Sequence, residues 1–555
     1  MKLVKATLQG KEICIEFDFC HQMLEKVKGI KGRRFSKKPK AHWLVSIETY
    51  PQVEELASVA GFQISIAPEV TKTYRSIINK KAAATRKKAA AYEKLLAATN
   101  MEAPLPCGWT LFKHQKESIH WGLQTLCQTR LDGVIYALDM GLGKTLCALV
   151  TAKAYQVVFG AKVIVVCPAS LKENWEREAV GVGVDIEIVS WNKIPDPPKK
   201  DYIFIADEAH YAQNACQTSQ KRSQRGEAFL NMAKGDKILA GLYLTGTPLR
   251  NGRPCHLFPL LFAAGHPLSV DQREYELEYC DAKATPFTRW DTNGAKNLDV
   301  LHKNIQDVIL YKKKEECIDL PPKTRIFRQA EVKGASLKAY KSAHKEAEKE
   351  YLRSKDLDKP EAAIVFLIRL RSAASKAKIE SGVELAKDIL EEGRQVVIFT
   401  EFRETVDSLH RALGGEVLTG DTPVEKRQAC RDRFQSGESK VFVSTFGAGG
   451  VGITLTKASD VILLDRPWTP GDTRQAEDRI YRIGQEKKVM AYWMQFGQAD
   501  EHIDSLLQTK EERISLVLEG KRKTMRGVSM SKKQIAAFVC DEIFASKKKK
   551  TSRAS

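Results

Sequence analysis

The stretch Ala137-Leu-Asp-Met-Gly-Leu-Gly-Lys-Thr145 decides the fold of this chain of 555 residues. It follows the apolar run Gly133-Val-Ile-Tyr136 and precedes Leu146-Cys-Ala-Leu-Val-Thr-Ala152, which predicts a strand, a glycine loop and a helix. In that order, glycines let backbone N–H groups close around phosphates, and the helix N-terminus adds a favourable dipole. The stretch therefore predicts a nucleotide site in which Lys144 reaches the β- and γ-phosphates and Thr145 holds Mg²⁺.

The turn of this loop is Gly141-Leu142-Gly143, whose backbone would contact the nucleotide. One position departs from the strict phosphate-loop pattern, which has glycine six residues before the lysine, where Leu138 stands. A glycine-rich strand-to-helix turn without a ligand is therefore the alternative, and the rest of the chain must decide between the two.

Composition sets limits on the class of protein. The length predicts more than one domain, and 43% hydrophobic residues suffice for packed cores. No run of 18 apolar residues is present, so no membrane span is expected, and Met1-Lys-Leu-Val-Lys5 lacks the apolar core of a signal peptide. The 12 cysteines form no CxxC pair, which favours buried free thiols in a reducing compartment over a zinc site.

The net charge of +20 is concentrated at the two ends of the chain. Residues 1–70 carry +3 (11 basic, 8 acidic), residues 71–100 carry +7 (8 basic, 1 acidic) and residues 521–555 carry +9 (11 basic, 2 acidic), so 101–520 carries only +1. Such flanks suit a polyanionic partner, because neutralising phosphates releases counterions. For each segment alone, a solvated charge run that binds nothing is the alternative.

Residues 1–70 predict a small α+β module, with a β-hairpin over 2–17 and a helix from about His21. From residue 26 to residue 40 the chain has eight basic residues and no acidic one, beside Phe35 and Trp43. Basic residues next to exposed aromatic rings grip phosphates and stack on unpaired bases, although Trp43 in particular fits the core of the module. The candidate DNA contacts of this segment are Lys31, Arg33, Arg34, Lys37 and Lys38. Residues 71–100 are rich in alanine and predict a basic helical connector.

A second anchor is Asp207-Glu208-Ala-His210, which ends the apolar run 202–206. Consecutive acids at the end of a strand face different ways, so Asp207 would hold Mg²⁺ and Glu208 would orient or deprotonate the attacking water. Two carboxylates on a hydrophobic strand are costly to bury without a metal ion or donors. Together with the glycine loop, this pair predicts a P-loop NTPase.

Other strand ends in the same region also carry polar groups. Ser170 and Asn174 follow the buried strand 161–168, at the edge where parallel sheets bind ligands. Thr245, Thr247 and Arg250 follow another strand and could sense the γ-phosphate and relay its presence to the track. Upstream of the loop, the amide of Gln115 could meet an adenine edge, although a surface glutamine is the plainer interpretation.

A second lobe begins at Leu320-Pro-Pro-Lys323, a rigid break. We expect lobe one over 101–319, with a helical insertion at 255–319, and lobe two over 320–520, with a helical insertion at 333–391. The tail 521–555 is expected to be basic and partly disordered. Strands alternate with helices in both lobes, which predicts an α/β fold with doubly wound parallel sheets. Lobe two has no phosphate loop, but Arg479 and Arg482 share a helical face at i, i+3 and could reach the γ-phosphate held by lobe one.

Six ordered motifs now carry a family resemblance. They are Asp-Met-Gly-Leu-Gly-Lys-Thr145, Asp-Glu-Ala-His210, Thr-Gly-Thr-Pro-Leu-Arg-Asn251, Leu-Pro-Pro-Lys323, Ser-Thr-Phe-Gly-Ala-Gly-Gly-Val-Gly-Ile-Thr-Leu455 and Gln-Ala-Glu-Asp-Arg-Ile-Tyr-Arg-Ile-Gly-Gln485. From about residue 105 to 510 the chain resembles the Swi/Snf family of helicase superfamily two. The resemblance implies two RecA-like lobes, ATP hydrolysis with Mg²⁺ at their interface, and translocation along duplex DNA without conventional strand separation.

The resemblance also implies roles for individual residues. Lys144 and Thr145 bind ATP and Mg²⁺, Asp207 and Glu208 are the Walker B acids, and Arg479 and Arg482 are arginine fingers. Further nucleotide contacts are Gln115, which meets the adenine, Gly452 and Gln475. The residues implied to couple the nucleotide to the track are His210, Thr245, Thr247 and Arg250. The DNA contacts implied on the two lobes are Ser170, Asn174, Thr400, Arg403, Thr445 and Trp468. Tyr311-Lys-Lys-Lys314 departs from the family, which tends to have an arginine-rich segment there.

The N-terminal module points to a subgroup. Gly29-Ile-Lys-Gly-Arg-Arg-Phe35, His42-Trp43 and Tyr50 look like the HARP-type module of annealing helicases, which rewind complementary strands and remodel stalled forks. The alternatives are an ATPase that remodels chromatin or other protein–DNA complexes, an RNA helicase, and a DNA-binding scaffold with a decayed motor. The expected partner is duplex, forked or junction DNA, a single-strand-binding protein is a candidate partner, and the chain is expected to be a monomer. It would act at the nucleoid if bacterial or viral, and in the nucleus if eukaryotic.

Overall fold

Three β-sheets organise the chain. The computed structural model describes residues 2–520 apart from 11, 31–32, 37–40, 60, 217–222, 285–289, 357–361 and 450–452. The predicted basic tail 521–555 lies outside the described residues, and so do Lys31, Lys37, Lys38 and Gly452. None of the described helices combines the length and the apolar character needed to cross a membrane.

The first sheet belongs to the N-terminal module. Its elements are β1 (Lys2–Gln9), β2 (Glu12–Phe17), α1 (His21–Gly29), β3 (Arg34–Ser36), β4 (His42–Ser46), α2 (Tyr50–Glu54) and β5 (Phe62–Ile66). The strand order is β3-β4-β2-β1-β5, with β1 antiparallel to β2 and parallel to β5. Alternate residues of β1 and β2, such as Val4, Ala6, Ile13 and Ile15, face the core of the module. The opposite face of the sheet carries the charged residues.

The helix α3 (Pro68–Thr99) links this module to lobe one. It begins at a proline, whose missing N–H is harmless in the first turn, and it ends at Asn100 in the left-handed conformation with φ of +46°. Ala91 and Leu95 are buried in the core of lobe one. The C-terminal part of the connector is therefore packed on the motor and not free in solvent.

Lobe one is built on a six-stranded parallel sheet. Its elements are α4 (Lys113–Gln128), β6 (Gly133–Leu138), α5 (Lys144–Phe159), β7 (Lys162–Cys167), α6 (Lys172–Val182), β8 (Glu187–Ser190), β9 (Tyr202–Asp207), α7 (Gln224–Ala233), β10 (Ile238–Leu244), α8 (Phe258–Ala264), α9 (Gln272–Tyr279), α10 (Leu298–Asn304), β11 (Ile309–Lys312) and α11 (Lys314–Cys317). The strand order is β11-β6-β10-β9-β7-β8. The adjacent strands β6, β10 and β9 bring their carboxyl ends to one edge, which therefore gathers the glycine loop, Thr245 and Asp207.

The segment 255–319 is part of this lobe and not an insertion. Its strand β11 pairs with β6, with Ile309 opposite Ile135, so it closes one edge of the sheet. Leu260 and Leu301 belong to the same core as Phe204. The expectation of a helical insertion was wrong. The segment supplies the short strand β11, and the irregular sequence around this strand gives no pattern that predicts it.

Lobe two has a second six-stranded parallel sheet. Its elements are β12 (Lys323–Gln329), α12 (Gly334–Asp356), α13 (Ala362–Ala377), α14 (Ile379–Glu391), β13 (Val396–Thr400), α15 (Arg403–Leu413), β14 (Glu416–Leu418), α16 (Val424–Ser436), β15 (Val441–Thr445), α17 (Phe446–Gly449), β16 (Asp460–Leu463), α18 (Pro470–Glu477), β17 (Val489–Gln495) and α19 (Gly497–Glu519). The strand order is β12-β17-β16-β13-β15-β14. Two parallel-sheet lobes of α/β class, preceded by a small α+β module, confirm the predicted fold.

The last helix, α19, spans both lobes. It starts beside β17 of lobe two, but Ile514 and Val517 near its end lie in the core of lobe one. The carbonyl of Val517 is 2.7 Å from Nδ1 of His302 on α10, and Lys313 pairs with Glu519 at 2.5 Å. Assigning all of 320–520 to lobe two was therefore wrong at its C-terminal end. The helix joins the lobes physically as well as in sequence.

Glu477 at the end of α18 is an internal anchor of lobe two, and it yields a first prediction. Its carboxylate is fully buried and accepts hydrogen bonds from Lys323 at 3.1 Å, Arg325 at 2.8 Å and Nε1 of Trp493 at 3.0 Å. Burial alone would raise the pKa of Glu477, but the charges of Lys323 and Arg325 outweigh it and lower the pKa to about 2. A carboxyl with a lowered pKa stabilises the fold above its unfolded pKa and loses that contribution as the pH falls.

We therefore expect Glu477→Gln to lower the free energy of unfolding of lobe two by roughly 3 kcal/mol at pH 7. The difference between the two proteins should fall to less than half at pH 3. The carboxyl of the unfolded chain is then protonated, so ionising it on folding takes back part of the free energy that the ion pairs supply. Urea unfolding at both pH values measures the difference. An equal difference at pH 7 and pH 3 would contradict the role given to this carboxylate.

Candidate active site between the lobes

The glycine loop joins β6 to α5 in a conformation that only glycine adopts easily. Gly141 and Gly143 have φ of +86° and +76°. A Cβ atom at Gly143 would lie 2.3 Å from Nε2 of Gln115, which leaves no room for another residue. A loop closed so tightly ahead of a 16-residue helix has the form of a phosphate cradle.

Leu138 does not weaken this loop. It is the last residue of β6 and its side chain is fully buried in the core. Its carbonyl accepts a hydrogen bond from Nζ of Lys144 at 2.7 Å, and the carbonyl of Asp139 accepts another at 3.2 Å. The departure from the strict pattern therefore affects a side chain that faces away from the cradle.

Lys144 is partly buried and lies among several charged groups. Burial lowers its pKa, while the carboxylates of Glu208, Asp207 and Asp139 favour the charged form. Thr145 follows it in the first turn of α5 and is partly exposed. The lysine thus lies between the loop and the two strand-end acids, where a phosphate chain would need a positive charge.

Gln115 lies beneath the loop, not on the protein surface. It is buried on α4, donates from Nε2 to the carbonyl of Leu142 at 3.3 Å and accepts from the N–H of Phe112 at 3.0 Å. Nε2 of the neighbouring His114 also lies 3.0 Å from the carbonyl of Leu142. Gln115 therefore supports the loop backbone in this structure. A contact with an adenine stays a prediction.

Asp207 ends β9 with both carboxylate oxygens engaged. Oδ2 accepts from Nε1 of Trp175 at 2.9 Å, and Oδ1 accepts from the N–H of Glu208 at 2.9 Å. Burial raises the pKa of Asp207 to about 6, and the adjacent Glu208 adds to the effect. A buried acid with a raised pKa is where a divalent cation would be favoured, because the cation supplies the missing positive charge.

Glu208 has a strained backbone, with φ of +50° in the left-handed region. Its side chain contacts His210, whose Nδ1 lies 3.2 Å from Oε2. Burial would raise the pKa of Glu208, but His210, Lys144 and Arg479 lower it, so the carboxylate stays charged. A charged carboxylate beside a cation-binding acid suits a group that orients or deprotonates water.

The four residues predicted to couple the nucleotide to the track lie together. Nδ1 of His210 is 3.3 Å from Oγ1 of Thr245 and 3.5 Å from Oγ1 of Thr247. Arg250 then crosses to lobe two and donates to both oxygens of Asp472, at 2.9 and 3.2 Å. Polar contacts therefore link Glu208, His210 and the two threonines, and Arg250, three residues further along the same loop, contacts the start of α18.

The two arginines of lobe two converge on the loop, although not as the sequence predicted. The helix α18 ends at Glu477, so Arg479 and Arg482 lie in the turns that follow and not on one helical face. Both donate to the carbonyl of Ile453, at 3.2 and 3.4 Å. A Cβ atom at Gly141 would lie 3.5 Å from Cβ of Arg482, so this arginine packs directly on the loop of lobe one.

Arg479 is buried more deeply than Arg482. Burial lowers the pKa of Arg479 to about 10, and the charge of Arg482 acts in the same direction. The carboxylate of Glu208 acts in the opposite direction, which places Arg479 within electrostatic range of the acid on lobe one. Gln475 accepts from Nε of Arg479 through its backbone carbonyl at 3.1 Å, so it supports the arginine. A direct contact of Gln475 with nucleotide stays a prediction.

One further contact between the lobes, a buried ion pair, was not predicted from the sequence. Lys314 of lobe one is buried and pairs with Asp478 of lobe two at 2.6 Å, and it also donates to the carbonyl of Tyr481 at 3.1 Å. Its backbone N–H donates to Oδ2 of Asp139 in the glycine loop at 3.2 Å. Lys314 therefore holds the arginine-bearing turn of lobe two against the loop of lobe one.

Replacing Lys314 by methionine keeps the length of the side chain but leaves Asp478 buried beside Asp139 without its partner. Because breaking a buried ion pair costs about 3–5 kcal/mol, we expect ATP hydrolysis to fall by at least about tenfold. Asp478→Asn in the same chain should restore most of the loss, which a double-mutant cycle of hydrolysis rates would measure. Simple additivity of the two losses would contradict the contact.

The predicted DNA contacts fall into two groups. Arg33, Arg34, Ser170 and Arg403 are exposed and remain candidates. Arg34 pairs with Glu12 and Arg403 with Asp421. The ring of Phe35, 50% exposed, packs against that of Trp43 at 5.0 Å, so the aromatic pair is half core and half surface.

The second group is engaged within the protein. Thr400 is fully buried and donates to Asp465, so its assignment as a DNA contact was wrong. Thr400 does end the strand β13, but its hydroxyl points into the protein and not to the surface. Asn174 is partly buried and bonds to Glu178 and Arg177, Thr445 is partly buried, and Arg371 covers the ring of Trp468 at 4.5 Å. For these three, contact with DNA stays a prediction.

These features define a class of protein. Two parallel-sheet lobes enclose a cleft to which lobe one contributes a glycine loop and two strand-end acids and lobe two contributes two arginines. That arrangement is a P-loop NTPase whose hydrolytic site lies between two RecA-like lobes.

Two domain models match parts of the chain. Residues 114–182 match the SNF2-related domain, and residues 381–484 match the helicase conserved C-terminal domain. A protein of Xenopus tropicalis, the SWI/SNF-related matrix-associated actin-dependent regulator of chromatin subfamily A-like protein 1, is 27% identical over 91% of this chain and 55% of its own length. The DNA annealing helicase and endonuclease ZRANB3 of Mus musculus is 25% identical over 73% of this chain and 42% of its own length.

A solved structure, the Sulfolobus solfataricus SWI2/SNF2 ATPase core in complex with dsDNA, is 21% identical over 76% of this chain and 96% of that chain, with a TM-score of 0.35. The two domain matches lie one in each lobe, so lobe one is similar to the SNF2-related domain and lobe two to the helicase conserved C-terminal domain. The chain spans about half the length of the curated relatives it matches.

Proposed function

We propose that this chain is an ATP-driven DNA translocase that acts on duplex or forked DNA as an annealing helicase and fork remodeller. The observation that carries the proposal is the convergence of Arg479 and Arg482 on the glycine loop and Glu208 of the other lobe. A site divided in this way is complete only when the lobes are closed, so hydrolysis is tied to lobe movement. The relative named a DNA annealing helicase supports the choice of track and activity.

The residues of the cleft fit ATP with Mg²⁺. The loop between Gly141 and Gly143 turns tightly ahead of α5, as a phosphate cradle requires, and Lys144 supplies a partly buried positive charge. Thr145 and Asp207 would hold the metal ion, as a hydroxyl and a carboxylate offer the oxygen ligands that Mg²⁺ prefers. When bound, the ion neutralises charge on the phosphates and so eases their transfer.

The protein groups then divide the work of hydrolysis. Glu208, charged and in contact with His210, orients the attacking water and accepts its proton at a carboxylate oxygen. Arg479 and Arg482 neutralise the charge that develops on the transferred group. When that charge is lost after hydrolysis, the contacts from Glu208 through His210 to Thr247 transmit the change towards α18 of lobe two.

Movement of the lobes becomes movement along DNA if each lobe grips the backbone. Contacts with phosphates carry no sequence information, so a translocase of this kind needs no preferred sequence. The N-terminal module, with Arg33 and Arg34 exposed next to Phe35, would add a preference for junctions between single and double strands. We propose that the chain acts as a monomer, with a single-strand-binding protein as a candidate partner. It would work where the DNA lies, at the nucleoid or in the nucleus.

The test is the rewinding of a plasmid bubble coated with single-strand-binding protein. Wild-type protein with ATP should close the bubble, and Arg33→Ala/Arg34→Ala should rewind at least about fivefold more slowly at 0.1 M salt, since two phosphate contacts are lost. A matched control is Lys199→Ala/Lys200→Ala, which removes two exposed charges just before the amino end of β9. This end of the strand lies at the edge of the lobe-one sheet opposite the glycine loop. Equal rates for both double variants would sink the role of the module.

The alternatives predict different stimulation of the ATPase. A motor that remodels chromatin or other protein–DNA complexes should be stimulated by duplex DNA without a preference for forks. An RNA helicase should be stimulated by RNA and not by DNA. We expect forked DNA to stimulate most strongly and RNA to have no effect.

A further inference from the structure

The helix α6 contacts the lobe-one half of the active site and lies within electrostatic range of the lobe-two half. It begins directly after the exposed turn that carries Ser170, at the carboxyl edge of the lobe-one sheet. Trp175, in its second turn, is 0% exposed and donates from Nε1 to Oδ2 of Asp207 at 2.9 Å. One turn further, Glu178 is within electrostatic range of Arg482 of lobe two. A single short helix therefore contacts the metal-binding acid and faces an arginine of the other lobe.

The hydrogen bond from Trp175 fixes the carboxylate of Asp207. Since Oδ1 is held by the backbone N–H of Glu208, the two donors together set the plane of the group. An indole ring that is buried on all sides cannot change to another rotamer. A displacement of α6 therefore moves the Nε1–H donor of Trp175 with it. A shift of α6 by a fraction of an ångström would therefore reorient the oxygens that hold the metal ion.

The start of the helix is where DNA is expected. Ser170 is exposed, and Asn174 bonds to Glu178 and Arg177, so the first turn of α6 is already linked to its second turn. A phosphate gripped at Ser170 and Asn174 would displace or fix this end of the helix. This step rests on the proposed function, since it requires DNA to be the track.

We propose that α6 couples DNA to the hydrolytic site, with Trp175 as the positioning residue that transmits DNA contact to the carboxylate of Asp207. Trp175 is 0% exposed, so its side chain is not available to nucleotide or DNA. It acts through Asp207, and its effect is to make binding of the metal–nucleotide depend on DNA.

A matched control is a second tryptophan that also contacts Asp207. Trp191 is also buried and also donates from Nε1 to Asp207 at 2.9 Å, but to the backbone carbonyl and not to the carboxylate. Trp175→Phe and Trp191→Phe each remove one indole N–H and keep an aromatic ring. Only the first frees the carboxylate.

The experiment measures binding without turnover. Fluorescent mant-ADP is titrated with Mg²⁺ in the presence and absence of a forked duplex, for the full-length wild type and both variants. In the wild type, the fork should lower the Mg²⁺ concentration at half-maximal binding by about fivefold, a typical coupling between two sites. Trp191→Phe should keep this shift and Trp175→Phe should lose it. Anisotropy should show affinities for the fork within about twofold of wild type for both variants.

The outcomes separate the inference from the proposed function. A full shift in Trp175→Phe overturns the role of Trp175, and so does a wild type whose hydrolysis is stimulated by DNA while its Mg²⁺ dependence is not shifted. A wild type whose hydrolysis does not respond to DNA contradicts the proposed function, and the inference falls with it.

A second variant covers the case in which Trp175→Phe fails to fold, as judged by its melting transition. Glu178→Gln then carries the test, because it removes the charged acceptor that binds Nδ2 of Asn174 in the first turn of α6 at 2.7 Å. Loss of stimulation by the fork would support the role of α6, and unchanged stimulation would overturn it.

Discussion

Replacing Arg479 by alanine should lower DNA-stimulated ATP hydrolysis by about 10³-fold, within the range observed for arginine fingers. The guanidinium is buried, bonds to the carbonyl of Ile453 and acts electrostatically on Glu208 of the opposite lobe. Because it belongs to lobe two, it should contribute to hydrolysis more than to binding. We therefore expect the affinity for mant-ADP to change by less than about threefold.

A control for this variant is present on the preceding helix. Arg474→Ala removes an arginine of α18 that pairs with Glu511 at 3.3 Å and that acts on Asp139 of the loop only through its charge. It should leave hydrolysis within a few-fold of wild type. Equal losses in the Arg479 and Arg474 variants would show that removing any arginine from this region weakens lobe two, and that Arg479 has no special role.

Glu208→Gln should have an effect of similar size by a different route. The glutamine keeps the shape of the side chain but cannot accept a proton, and removal of a general base costs roughly 10²–10⁴-fold in rate. Binding of nucleotide should persist, so the variant should stay bound to ATP and hold the lobes closed. Single-turnover hydrolysis and mant-ADP binding, measured on the same preparation, separate the two effects.

The matched control is Asp201→Asn, which neutralises an acid at the other end of β9, just before Tyr202. It should hydrolyse ATP at close to the wild-type rate. If Glu208→Gln retained more than a tenth of wild-type hydrolysis, another group would have to activate the water, and the strained backbone of Glu208 would need a different explanation.

Local patterns were enough to predict the half of the site that lies on lobe one. Lys144, Asp207 and Glu208 each follow a short apolar strand, and parallel strands bring their carboxyl ends to a single edge. The chemistry of those residues then follows from their type and order. Even the departure at Leu138 could be judged once its side chain was seen to belong to the core.

Contacts that depend on how the lobes meet could not be predicted in this way. Lys314 and Asp478 are more than 160 residues apart, and each looks like an ordinary surface charge in sequence. The helix α19 gave no sign that its end would enter the core of lobe one. Thr400 shows the same limit on a smaller scale, because only the packed structure reveals that its hydroxyl turns inward to Asp465.

One two-lobed motor is expected to bind both DNA and ATP, and to hydrolyse ATP at a site that uses Lys144. The most direct measurement is the rate of ATP hydrolysis by the full chain with forked DNA, with RNA and with no nucleic acid, for wild type and Lys144→Ala. We predict stimulation of at least about tenfold by forked DNA alone, abolished in Lys144→Ala. A rate that does not respond to DNA, or that survives the loss of Lys144, would contradict the account.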